Sequence, residues 1–245
     1  MIDTTVGTLH LHTSERTLTI DGAPSPLRIA AFRGGALADE PIEPALDAIE
    51  AGAPALQIVI GSLGDDETHA HALLAALAGL ASPTLVLLGG RDHPADLASG
   101  DAHPNVIDAT GIRAIVIGDV ELVAVSGAPE GRYARDDDSC GLGTSEVDAI
   151  ARDVGQAGPR ARFLVSYAAP SPIVGLEGAE GGSALIADLA ARIGARPGLF
   201  AWPDVPSTML VPPIVGAPAL LSDGSRIGPG VLLVDVAPSG ITLAH

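Results

Sequence analysis

Several short stretches of this chain carry side chains that could bind a metal, move a proton or attack an electrophile. His10-Leu11-His12 places two imidazoles at i and i+2 of an alternating segment. A strand there would turn both to one face, where they could share a cation. Asp65-Asp66-Glu67-Thr68-His69-Ala70-His71 gathers carboxylates and imidazoles at the start of a helical pattern. Asp92-His93 follows the apolar run Thr84 to Leu88 and its glycine turn, while Ser62 follows Gly61 at the end of another apolar run. Cys140 stands just behind Asp136-Asp137-Asp138.

Each stretch has a plainer reading. His69 and His71 sit two apart on a helix and diverge by about 200°. The acids before them suit the positive end of the helix, although Asp65, Asp66, Asp92 and His93 together would form an alternative metal set. Anionic neighbours raise the pKa of a thiol, which argues against Cys140 as a nucleophile. Ser62 lacks the G-x-S-x-G turn that exposes a nucleophilic serine. His10 and His12 alternate with Leu9 and Leu11 opposite Leu18 and Ile20, as expected of a hairpin with a solvated polar face.

The elements that position these residues follow from periodicity. Hairpin strands surround a short turn within residues 8–20, and Leu27 to Phe32, Leu56 to Ile60 and Leu85 to Leu88 read as apolar strands. Helices are expected over Pro44 to Ala51 and His69 to Leu80. Strand alternating with helix, each strand almost wholly apolar, implies largely parallel pairing with both faces covered. Strands follow at Ala114 to Ile117, Glu121 to Val125 and Arg162 to Tyr167, with Ser145 as the cap of a helix beginning near Glu146. A helix over Ser183 to Ile193, strands at Leu199 to Trp202 and Met209 to Val211, and a closing hairpin at Val231 to Leu243 complete the set.

Composition narrows the classes of function. The 245 residues are 47% hydrophobic but only 2% aromatic, so aliphatic side chains must fill the core. A net charge of −17 argues against nucleic acid or an anionic membrane as partner. One cysteine excludes an internal disulfide framework. The first residues lack the basic and apolar regions of a signal peptide, and no apolar run nears membrane-spanning length, so a cytoplasmic location is expected. A single domain over 1–245 is expected, with residues 1–26 as an added hairpin and 27–245 as the core.

The run Pro83 to His93 resembles the strand and G-N-H-D loop of the calcineurin-like metallophosphoesterases, with Gly90 and Arg91 in place of the family's Asn ligand and catalytic His. The resemblance extends over residues 27–243. Arg28 to Ala36 looks like the first strand and its D-x-H loop, so Gly34 and Ala36 fall on the Asp and His ligands. Pro54 to Leu63 resembles the segment ending in G-D-L, with Ser62 on the metal-bridging Asp. Tyr167 stands for the next ligand His, and Leu199 to Val205, including Trp202, for the closing G-H-x-H. The resemblance implies a four-layer α/β/β/α sandwich with mixed sheets. It also implies that the carboxylate, imidazole and amide donors of a dinuclear centre have been replaced.

The expectation is therefore a catalytically inactive metallophosphoesterase-fold protein with no metal cofactor. It would serve as a binding or scaffold module for a protein partner or a small anionic ligand, with Arg33, Arg91, Asp92 and His93 as candidate ligand-binding residues. One alternative is an active phosphoesterase using Mn, Fe or Zn at a displaced or single-metal site built on Asp65, Asp66, Asp92 and His93. The other rests on His10-Leu11-His12-Thr13, which resembles the H-x-H-T opening of PHP-type metal hydrolases.

Overall fold

The computed structural model describes residues 2–34, 42–64, 67–90, 92–97, 103–129, 140–155, 158–171, 182–201, 210–211, 219–221 and 231–244. The fold is α/β, built on two mixed sheets. The smaller sheet contains β4 (Leu27–Phe32), β5 (Leu56–Ile60), β6 (Thr84–Leu87) and β7 (Val106–Asp108), all parallel, in that order. β16 (Val231–Ala237) adds antiparallel to β4, and β17 (Gly240–Leu243) closes the outer edge.

Alternation along these strands separates two cores. Ile29, Ala31, Ile58, Ile60, Leu85 and Leu87 face the larger core, which also contains side chains of the second sheet. Ala30, Phe32, Val59, Val86 and Leu88 face a smaller core with helices α1 (Glu43–Gly52) and α2 (Glu67–Ala78), through Ala45, Ile49, Ala70, Leu73, Leu74 and Leu77. A strand buried on both faces reads as a continuous apolar run, which is why Leu56–Ile60 was legible at once. Its one polar member, Gln57, is fully buried, but its amide donates to Ser82 and its carbonyl accepts from Thr84 Oγ1 at 3.2 Å.

The larger sheet begins with β1 (Asp3–Val6), β2 (Leu9–Ser14) and β3 (Thr17–Asp21), and continues with β8 (Ala114–Ile117), β9 (Val120–Val125) and β12 (Ala161–Ser166). β13 (Arg196–Phe200), β15 (Ala219–Leu221) and β14 (Leu210–Val211) complete its order. Between β9 and β12 lies a short parallel pair, β10 (Ala128–Pro129) and β11 (Gly141–Leu142). The amino-terminal strands form one edge of this sheet, where Thr17, Leu18 and Thr19 pair in parallel with Ala114, Ile115 and Val116.

Helix α3 (Thr144–Val154) starts one residue before Ser145, so that serine is not its cap. Gly143 is, and the Glu146 carboxylate accepts the Gly143 N–H at 3.0 Å and the Ser145 hydroxyl at 2.9 Å. Helix α4 (Ala184–Ile193) is capped by Ser183, whose Oγ accepts the Ile186 N–H. Both helices end on one buried cation. Arg162 donates to Gly155 O and Ile193 O at 3.0 and 2.8 Å and pairs with Glu121, its cross-strand neighbour, at 2.9 Å. The guanidinium thus satisfies carbonyls that helix termini leave open, and a carboxylate balances its charge. No helix among the described residues is long and apolar enough to cross a membrane.

Candidate functional site

The carboxyl ends of β4, β5 and β6 converge, bound backbone to backbone. Gly34 N donates to Gly61 O at 3.0 Å, Gly61 N to Leu87 O at 2.7 Å, and Gly127 N to Leu88 O at 2.7 Å. The chain leaves β5 through two successive left-handed residues, Gly61 (φ 69°) and Ser62 (φ 54°). Such a conformation is ordinary for glycine and costs a serine roughly 1 kcal/mol or more.

Asp92 holds that turn. Its carboxylate is wholly buried, accepting the Ser62 and Gly89 N–H groups on Oδ2 at 2.7 and 2.6 Å and the Leu63 N–H on Oδ1 at 2.7 Å. Burial pushes its pKa above the usual carboxylate value, although the three N–H donors pull the other way, and Asp96 adds to the rise. With three backbone donors on two oxygens, Asp92 serves as a brace between two strand-end loops. Asp96 plays a similar local part, accepting the His93 N–H at 2.8 Å at the start of the turn Pro94–Leu97.

Tyr167 fills the space above this brace. It is fully buried at the end of β12, with its hydroxyl 3.3 Å from Ser62 Oγ. The ring lies so close to Gly61 and Gly89 that a Cβ on either would stand 2.5 or 2.6 Å from Tyr167 Cδ2. At Gly34 a Cβ would meet Ser62 O at 2.7 Å and Leu63 Cα at 2.9 Å, so that position cannot take any larger side chain unless the backbone moves. These contacts make the glycines a consequence of close approach as well as of turn geometry.

The fold thus brings together Gly34, Ser62, Asp92 and Tyr167, with Gly90 following directly on Gly89. Arg33 is half-buried, and its Nε is enclosed without a hydrogen-bond partner. His93 is half-buried beside the brace. Ala36, Asp65, Asp66, Arg91 and Trp202 lie outside the described residues. Cys140 is half-buried, its N–H donating to Asp92 O at 3.1 Å. Burial first, then the carboxylates of Asp92, Asp108 and Asp96, push its thiol up to about 11, in keeping with an unreactive cysteine. His71 pairs with Glu67 along α2 at 3.5 Å.

His10 and His12 are not part of this cluster. They lie on the solvated face of β2, near the outer edge of the larger sheet, while Leu9, Leu11, Leu18 and Ile20 are buried beneath. Sequence reasoning found most members of the strand-end cluster but missed the work done by Asp92 and Tyr167. The signal was an Asp three residues after Gly89, a spacing at which a carboxylate can accept the glycine N–H, and a lone Tyr closing an apolar strand.

No family model matches the sequence, and no curated protein resembles it significantly. Among solved structures, one crystal structure is similar over 90% of this chain and 99% of its own, with a TM-score of 0.56 at 14% identity. TT1561 of Thermus thermophilus is similar over 71% of this chain and 81% of its own, with a TM-score of 0.50 at 16% identity. At such identities the likeness concerns the fold alone.

Proposed function

We propose that this chain is a metallophosphoesterase-fold protein, a four-layer α/β/β/α sandwich, that has lost its dinuclear centre and works by binding. The observation that carries this reading is the occupation of the strand-end cleft by Tyr167, packed directly on Gly61 and Gly89. A two-metal site needs room for ions about 3.5–4 Å apart and a ring of oxygen and nitrogen donors around them. Here a phenol ring takes up room at the strand ends. The fully buried carboxylate of Asp92 accepts the backbone N–H groups of Ser62, Leu63 and Gly89.

A closed, braced cleft leaves the fold as a scaffold whose outer surface does the work. Arg33, half-exposed just after β4, carries the guanidinium that would meet an anionic group on a ligand or protein partner. The test is turnover. The purified chain, supplied with Mn2+, Fe2+ or Zn2+, is expected to leave aryl phosphates and phosphodiesters intact. Saturable, metal-dependent hydrolysis would overturn the reading.

A further inference from the structure

A second group of chemistry-bearing residues lies on the outer strands of the larger sheet, away from the braced cleft. His10 and His12 project from the same face of β2, their ring centroids 5.5 Å apart. β3 brings Asp21 opposite His10, and β1 brings Asp3 opposite His12. One ligand atom from each of His10, His12 and Asp21 lies within 4.8 Å of the other two.

Two details make this more than a polar strand face. His12 Nδ1 is enclosed with no hydrogen-bond partner, 3.7 Å from Asp21 Oδ2. That is too long for a hydrogen bond, yet close to the separation of about 3.4 Å between two ligands of a tetrahedral zinc with bonds near 2.1 Å. His10 Nε2 lies 2.9 Å from Asp3 Oδ1. A carboxylate only accepts, so Nε2 carries a proton, which leaves Nδ1 as the atom that can ligate an ion. A histidine held by a carboxylate in this way is the usual outer support of a metal ligand.

We infer that His10, His12 and Asp21 form a surface site for one late-transition divalent cation, of the zinc, nickel or copper class, with Asp3 orienting His10. Two imidazoles and one carboxylate suit these ions, while magnesium and calcium prefer an all-oxygen shell. The side chains are between about two-fifths and two-thirds exposed, His10 at 49%, His12 at 40% and Asp21 at 63%, so they are free to close from 4.8 Å onto an ion. The chain's net charge of −17 raises the local concentration of cations. The site uses residues of 3–21 only and stands independently of the strand-end reading.

The test is calorimetric titration of the chelator-treated full chain with Zn2+ alone, repeated with Ni2+, Cu2+ and Mg2+. One Zn2+ per chain is expected, with Cu2+ tightest, in the usual order for nitrogen and oxygen ligands, and no saturable heat from Mg2+. The double variant H10A/H12A should lose saturable binding, and Asp3→Asn should weaken it by about tenfold. Zinc should raise the Tm of the wild-type chain and leave that of the double variant unmoved, which also shows that the variant folds. Absence of saturable zinc binding in the wild type would overturn the site. So would one equivalent of zinc retained by the folded double variant, which would place the metal elsewhere.

Discussion

The strand-end cleft and the outer face of β1–β3 invert the arrangement expected of a metal-dependent hydrolase. At the strand ends an aromatic ring packs on closely spaced glycines, and the Asp92 carboxylate is bound to backbone. The outer face is partly exposed, and holds ligand atoms of His10, His12 and Asp21 within 4.8 Å of one another, with Asp3 against His10. The contrast separates two uses of a carboxylate. Buried at Asp92, it organises loops that would otherwise leave N–H groups unsatisfied; exposed at Asp21, it is free to meet an ion.

The sharpest way to break this contrast is to remove the brace. Asp92→Ala leaves three buried N–H groups without acceptors and is expected to cost roughly 3–5 kcal/mol in urea unfolding. Its pH dependence has a definite sign. The folded carboxyl sits above its ordinary value, so the folded state binds the proton more tightly. The contribution of this group is therefore fully present below the unfolded value, about 3.9, and is lost as pH rises through the raised folded value. Asp92→Asn should lack that component of the stability profile. A slope unchanged by Asp92→Asn would mean that ionisation of this carboxyl is not opposed by burial.

Cys140 tests the same cleft from its rim. With the thiol at about 11, alkylation by iodoacetamide at pH 8 should run ~100-fold slower than for a free thiol near 8.5 and should accelerate with pH. Rapid labelling at neutral pH would show that the cleft is open.

Gly89→Ala should cost about 2 kcal/mol, because its methyl must displace the Tyr167 ring. In the Tyr167→Ala background that cost should shrink, giving a coupling of about 1 kcal/mol in a double-mutant cycle. Additive effects would separate the glycine from the ring. The smallest change is on the open face, where H10A/H12A should alter metal-free stability by no more than about 0.5 kcal/mol.

Much of the framework was legible because apolar periodicity reports burial directly. Leu27–Phe32, Leu56–Ile60 and Ala114–Ile117 were found with the boundaries that the structure shows. Two-residue pairings such as β10 with β11 are too short to leave a pattern, and β1, Asp3–Val6, is half-exposed and mostly polar. Arg162 read as an ordinary strand residue, since nothing local shows that its guanidinium will meet two helix ends distant in sequence. The site was legible as a set of positions but not as a set of contacts. That Gly61 and Gly89 face Tyr167 depends on strands of different sheets meeting, which no spacing within one segment encodes. For the same reason the pairing of His10 and His12 with Asp3 and Asp21 needed the strand register.

The most direct test of the central claim is elemental analysis of the H10A/H12A chain after incubation with Mn2+, Fe2+ and Zn2+ and exhaustive dialysis. Removing the outer histidines leaves the strand-end cleft as the place where a dinuclear centre would form. A metal-free chain is the predicted result. One or two ions retained per chain would contradict the account, because they would require donors at strand ends that Tyr167 and the glycines are argued to have closed.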